Sequence, residues 1–168
     1  KIFSGNKKKL VFILSANHEE SDFILNIMSK CFDKNKLQDY CFILKPHSNT
    51  KIPSFILNNK NINIYKGDFY EMLSKADIII AGGTTATVES LILNKKIILI
   101  GNKNEITINP LIDYSKKKVK ICYDTDSLIK NVNILSKLKK KNMRGLNKKL
   151  MNEYFTKMSK KSFNNFLN

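Results

Sequence analysis

The sequence predicts a doubly wound, Rossmann-like α/β domain: a mostly parallel six-stranded sheet with helices on both faces. Two observations carry this expectation. Short β-forming runs alternate with segments of helical periodicity along most of the 168 residues, the pattern of βαβ units. Several of those runs, residues 77–81 above all, are almost wholly apolar, as strands buried on both faces must be.

The elements follow in order. Residues 10–15 form an apolar run that ends in the polar loop 16–20. Ser21 can cap a helix, and Phe23, Ile24, Ile27, Met28 and Cys31 then recur at helical spacing. A second strand is expected over 40–45, closed by Pro46, and a short helical segment over 53–58. Residues 62–65 read as strand, 69–75 as helix and 77–81 as strand. Gly82 and Gly83 end that strand, and 84–93 is the next helix. Strands over 97–100 and 119–123 and a helix over 127–138 complete the domain, assigned to residues 1–141. Residues 142–168 carry Met143, Leu146, Leu150, Tyr154, Met158 and Phe163 or Phe166 at near-helical spacing. They predict one amphipathic helix that packs on the domain or crosses to another. The chain opens on Lys1 at the foot of its first strand, which predicts a piece of a longer protein.

With right-handed crossovers, the expected strand order is 3-2-1-4-5-6. The winding then reverses between the first and fourth strands. Loops 16–21 and 82–87 face each other there across a crevice at the carboxyl ends of the strands, where such folds bind ligands.

The formal net charge of +16 points at first to nucleic acid. Arg144 is the sole arginine, however, whereas phosphate and base readers favour arginine's bidentate fork. The lysine runs 7–9, 116–118 and 139–141 lie between elements and read as solvated turns, so no specific nucleic-acid partner is expected. A general attraction for anions remains, including peripheral contact with a negatively charged inner membrane face. Cys31, Cys41 and Cys122 form no CxxC, sit in apolar runs and read as buried reduced thiols of a cytoplasmic protein. No apolar stretch approaches the roughly 18 residues of a membrane span. His18 and His47 have no clustered partners, so neither a metal nor another cofactor is expected, and no serine has a base pattern of a hydrolase triad.

The segment from Ala76 to Ser90 carries the chemistry: buried strand, Gly82-Gly83, then a helix whose first turn holds Thr84, Thr85 and Thr87. Glycines allow a tight turn and close approach of a ligand. Free N–H groups at the helix start, aided by the dipole and the threonine hydroxyls, suit an anion. An ordinary strand–turn–helix with a threonine cap has the same spacing, and neither GxGxxG nor GxxxxGK[ST] is present. At the end of the second strand, Lys45-Pro46-His47-Ser48-Asn49 places His47 at the carboxyl edge. Asn17 and His18 lie in the loop facing the glycine turn, and Asn109, with Pro110 and Leu111, follows the fifth strand as pocket lining or as a turn.

The stretch from Ala76 to Ser90, continued through Leu91-Ile92-Leu93-Asn94-Lys95-Lys96 and the following strand, resembles the donor-binding signature of GT-B glycosyltransferases. It is similar to lipid-A-disaccharide synthase and capsule-type, surface-polysaccharide transferases, in which SGT-A-T-x-E follows a buried strand. The order of elements resembles the C-terminal half of that fold. The resemblance implies that Gly83, Thr84 and Thr85 contact the donor's phosphates, with Gly82 a further candidate at the turn, and that Glu89 hydrogen-bonds the donor's ribose or sugar. Segments similar to that around His47 occur in CDP-glycerol polymer transferases and in CMP-using sialyltransferases, which implies a phosphate contact. Two departures stand out: Gly82 replaces the common serine, and Ala81 stands where retaining enzymes carry the first of two glutamates, which speaks for an inverting or unassigned enzyme.

The implied function is transfer of a sugar from a UDP-, CDP- or CMP-linked donor in cell-surface polysaccharide or lipid-linked glycan synthesis. An N-terminal acceptor domain outside this sequence would supply the catalytic base, and the chain alone would be inactive. A UDP-sugar 2-epimerase of the same fold is the alternative, although Ser90 stands where a second acidic residue is usual beside Glu89. A non-catalytic nucleotide- or nucleic-acid-binding module is the other.

Overall fold

The computed structural model describes residues 3, 5–33, 37–103, 107, 109–112, 114, 117–138, 152 and 154. The elements are β1 (Lys8–Ile13), α1 (His18–Asp33), β2 (Tyr40–Lys45), α2 (Ser54–Leu57), β3 (Ile62–Ile64), α3 (Phe69–Lys75), β4 (Ile78–Ala81), α4 (Thr85–Ile92), β5 (Lys96–Ile100), β6 (Val119–Cys122) and α5 (Thr125–Ser136). The expected helix over 142–168, with Phe163 and Phe166, lies outside the described residues except for residues 152 and 154, both helical.

The six strands are ordered β3-β2-β1-β4-β5-β6, and every adjacent pair is parallel. Side-chain alternation divides the core in two. Leu10, Phe12, Phe42, Leu44, Ile78 and Ile80 meet α1 and α5 on one face. Val11, Ile13, Ile79, Ala81, Ile97 and Leu99 meet α3 and α4 on the other. Rings consolidate the first layer: Phe12 stacks on Phe42 with centroids 5.7 Å apart, and Phe32 closes on Phe42 at 4.4 Å. Among the described residues, no helix is long and apolar enough to cross a membrane.

Both serine-based helix starts shift. α1 begins at His18, so Glu19 and Glu20 form its first turn and are not a loop. Its cap is Asn17, whose Oδ1 accepts the Glu20 N–H at 3.0 Å. Ser21 is fully buried inside the helix; its hydroxyl donates to the Ser15 carbonyl at 3.0 Å and accepts the Ser15 N–H at 3.2 Å. The same happens at α5, where Asp124 accepts the Ser127 N–H at 2.8 Å and the Ser127 hydroxyl reaches back in a capping box.

α4 closes on Asn94 in the left-handed region, φ 63°. Lys95 N–H reaches the Ser90 carbonyl and Asn94 N–H the Leu91 carbonyl, each at 2.9 Å, a Schellman arrangement. Lys118, expected in a solvated run, is instead buried and donates to the Asn94 Oδ1. Burial lowers its pKa from the ordinary lysine value. Lys117 beside it is exposed. The thiols also divide: Cys31 and Cys122 are buried, and burial pushes Cys122 up to about 12, whereas Cys41 is only half-buried.

Asp124 yields a test of the capping. Hydrogen bonds from the Ser127 hydroxyl and N–H, then from Lys103, hold its carboxyl well below the usual carboxylate range. Asp124→Ala should lower stability at neutral pH by about 0.5–2 kcal/mol, the value of a cap. A depressed folded-state pKa stabilises above the unfolded value of about 4 and loses that contribution as pH falls below it. Urea unfolding of both proteins should therefore show the gap narrowing progressively below pH ~4; a constant gap would contradict the capping role.

Candidate functional site

β1 and β4 are adjacent and parallel, and the chain leaves them toward opposite faces, into α1 and α4. The crevice so formed at their carboxyl ends is the switch point of the sheet. The two loops expected to face each other there do meet, through a residue that the sequence reading passed over. Glu20, in the first turn of α1, accepts the Gly83 N–H on Oε1 at 3.2 Å. A Cβ on Gly82 would collide with the same carboxylate. Neither Gly82 nor Gly83 has a positive φ, a conformation confined to Gly5 among the described glycines. Close approach of the Glu20 carboxylate, and not a left-handed turn, is therefore what favours glycine at 82. Glu20 could have been found by listing every acid in loop 16–20; its dipole-compatible place in a helix start offered a sufficient ordinary explanation.

The hydroxyls around the helix start separate into used and unused groups. Thr87 is buried and its hydroxyl donates to the Thr84 carbonyl at 2.6 Å; the Ser90 hydroxyl donates to Ala86 at 2.6 Å. Thr84 is the N-cap residue of α4, in extended conformation (φ −114°, ψ 162°), and its side chain makes no capping bond. Its Oγ1 is buried and, among the described residues, is the one buried side-chain polar atom without a hydrogen-bond partner. Such an atom costs free energy unless a partner arrives. Thr85 is exposed at the first helical position.

Glu89 lies a turn further into α4, with its carboxylate near the Tyr70 phenol of α3. That carboxylate is the main reason the phenol sits above its ordinary pKa. Tyr70, exposed and edge-on to Phe69 at 5.6 Å, is a second residue the sequence reading missed. His47 is half-buried at the end of β2, two strands from β4. Its Nδ1 accepts the Asn49 N–H at 3.2 Å, and Thr50 Oγ1 ties the same turn to the Ser15 carbonyl at 3.0 Å. Lys45 beside it donates to the Gly67 carbonyl at 3.1 Å.

Two expected residues have local work. Asn17 is the α1 cap, and His18 is exposed at the first position of that helix. Asn109 caps a turn, its Oδ1 accepting the Leu111 N–H at 2.9 Å; the neighbouring Pro110 carbonyl accepts the Tyr154 hydroxyl at 2.7 Å. The structure thus brings Gly82 and Gly83 against Glu20, with Thr84 and Thr85 following them into α4, and shows no contact of His47, Glu89 or Asn109 with that turn among the described residues. A cleft of about 360 Å³ adjoins Glu20, walled by Glu19 and Asp22 of α1 and by Ile100, Gly101 and Thr107. The roomier cavity of about 510 Å³ lies at the opposite edge, beside Lys7, Cys41 and Asn63, away from the crevice. Among the described residues no group of three His, Cys, Asp or Glu side chains is placed to hold a metal.

The Gly82–Glu20 contact can be tested through stability alone. Gly82→Ala should destabilise the wild-type chain because the methyl displaces the carboxylate. In a Glu20→Ala background the same change should be neutral or stabilising by about 0.4–1 kcal/mol, since Gly82 needs no special φ. Denaturant unfolding of the four proteins should give a coupling of about 0.5–3 kcal/mol; additivity would mean that the two residues do not touch.

No protein-family model matches the sequence, and no curated protein matches it. Solved structures do match in fold. A UDP-GlcNAc 2-epimerase of Methanocaldococcus jannaschii, in complex with UDP-GlcNAc and UDP, aligns with TM-score 0.62 and 17% identity over 88% of this chain and 45% of its own. The glycotransferase of kitacinnamycin aligns with TM-score 0.59 and 12% identity over 86% of this chain and 38% of its own. The wall teichoic acid polymerase TagF aligns with TM-score 0.55 and 13% identity over 89% of this chain and 38% of its own. The chain spans less than half the length of each. Together with the all-parallel six-stranded sheet, these likenesses show that the chain has the Rossmann-like fold of a GT-B domain.

Proposed function

We propose that this chain is the donor-binding half of a glycosyltransferase, taking a UDP-, CDP- or CMP-linked sugar. The observation that carries the reading is the start of α4. At the switch point, a glycine turn already holds one anion, the Glu20 carboxylate, beside the buried and unpartnered Thr84 hydroxyl. A phosphate suits the same position: first-turn N–H groups such as those of Thr85 and Ala86 have no intrahelical partner, and the helix dipole favours negative charge there.

In a transfer reaction, bond cleavage at the sugar's anomeric carbon leaves charge on the nucleotide phosphate. N–H groups and a hydroxyl preorganised at a helix end stabilise that charge without reorganising. Gly83 and Thr84 are the residues for this role, with Thr85 on the open side. Glu89, beside Tyr70, is a turn deeper and suits a ribose hydroxyl of a nucleotide laid along α4 toward α3. His47 has Nδ1 occupied, so Nε2 is the ring atom that could donate to a phosphate leaning toward β2. The acceptor and the catalytic base belong to a partner domain, and the product to a cell-surface or lipid-linked glycan made on the cytoplasmic side of a membrane.

A UDP-sugar 2-epimerase is the second reading, favoured by the likeness to the epimerase structure over 88% of the chain. Against it, the residue beside Glu89 is Ser90, buried and bonded to its own helix, so no second carboxylate stands there. The full-length protein separates the two by its product: sugar transferred to an acceptor, or nucleotide-sugar inverted at C2.

The 168-residue chain itself should bind a nucleotide weakly and turn nothing over. Calorimetry against UDP, CDP, CMP and GDP measures this, and tight DNA binding with no nucleotide response would overturn the proposal. Thr84→Val removes the orphaned hydroxyl and keeps the shape. It should leave stability unchanged or slightly raised while weakening nucleotide binding by about 1.5–3 kcal/mol, the range for a hydrogen bond to a charged group. Unchanged affinity would move the phosphate elsewhere.

A further inference from the structure

We propose that Glu20 is a built-in competitor for the phosphate turn: its carboxylate holds the place at Gly83 that an incoming phosphate takes, and the ligand binds by displacing it. The proposal rests on the donor-binding reading and adds a regulator to that site. Two anions cannot share the one Gly83 N–H, and at hydrogen-bonding distance like charges repel strongly.

The arrangement is built into the fold. Glycine at position 82 leaves the room the carboxylate fills. The backbone beneath Glu20 is fastened on both sides, by Asn17 Oδ1 on its own N–H and by the paired bonds between Ser21 and Ser15. The first turn of α1 therefore stays in place while the side chain rotates out, into the adjoining cleft. Glu19 and Asp22 line that cleft, so the displaced carboxylate enters a region of like charge and tends to return. The consequence is an affinity threshold, since displacing Glu20 costs every anion the same. A free inorganic anion has only its charge with which to displace Glu20, whereas a nucleotide is anchored by its nucleoside as well. The device keeps the turn closed to simple phosphates and opens it to ligands held at a second point.

The experiment uses the 168-residue chain and titrates uridine, UDP and inorganic pyrophosphate against wild type, Glu20→Gln and Glu20→Ala, with thermal melts to verify folding. Glu20→Gln keeps the shape and the acceptor oxygen but removes the charge, which makes the bond to Gly83 roughly half as strong. UDP and pyrophosphate should bind both variants about tenfold more tightly than wild type, or about 1.4 kcal/mol, with uridine unchanged. If wild type binds UDP and the variants bind it no tighter, Glu20 is an ordinary helix-start residue and the donor-binding reading stands without it. If uridine and UDP shift equally, the effect is structural and the competitor role is wrong. If no protein binds UDP or pyrophosphate, both proposals fall together.

Discussion

β1 is the strand on which the molecule is assembled. It is hydrogen-bonded along both sides, to β2 and to β4, and parallel to each, so the carboxyl ends of all three strands emerge at one edge. Leu10, Val11 and Phe12 are wholly buried, alternating between the α1–α5 layer and the α3–α4 layer. That alternation pins the register, since a slip by one residue would exchange the two faces and bury the wrong set. The crevice follows from the same constraint. The chain can leave β1 only toward α1 and β4 only toward α4, and their separation opens the space where Glu20 meets Gly83. The site is a consequence of how β1 is paired, and a defect in its packing would be felt at the glycine turn as well as in the core.

The strands and their order were legible because a buried parallel strand has few ways to be written. Residues 40–45 and 69–75 match β2 and α3 to the residue, and the switch point falls where the winding order puts it. Helix starts were less legible. Ser21 and Ser127 each suit a cap by residue type, but Asn17 and Asp124 stand three or four residues earlier and do the capping. The serines then serve inside the first turn, a choice that depends on Ser15 and on Asp124 being in reach. Lys118 was misread for a related reason. Its neighbours in sequence are lysines, and only the left-handed Asn94 at the end of α4 supplies the acceptor that lets it be buried.

Within the candidate site, backbone features were read more faithfully than side-chain partnerships. The glycine turn and the threonine at the start of α4 follow from local pattern. The partnership of Glu20 with Gly83 spans 63 residues of chain and that of Glu89 with Tyr70 joins two helices; neither leaves a trace in spacing. His47 follows the end of β2, as expected, and both it and Asn109 spend a polar atom on their own turns. A residue's address on the sheet can be read from the chain, whereas its hydrogen-bond partner depends on what folds against it.

The surplus of lysine has little part in this site. A net charge of +16 favours collecting phosphate by attraction alone. Among the described residues, the charged groups lining the cleft beside Glu20 are of the other sign, Glu19, Glu20 and Asp22, while Lys45 is turned onto the Gly67 carbonyl and Lys103 is paired with Asp124 at 3.0 Å. On the proposed reading, an anion at the glycine turn would be held by oriented N–H groups, the helix end and the Thr84 hydroxyl and not by a neighbouring lysine. Those groups act over one hydrogen-bond length and in fixed directions. Charge attraction would accept any polyanion, including nucleic acid. A site that opposes charge and supplies directed donors accepts only a ligand whose phosphate is carried to that point by the rest of its structure.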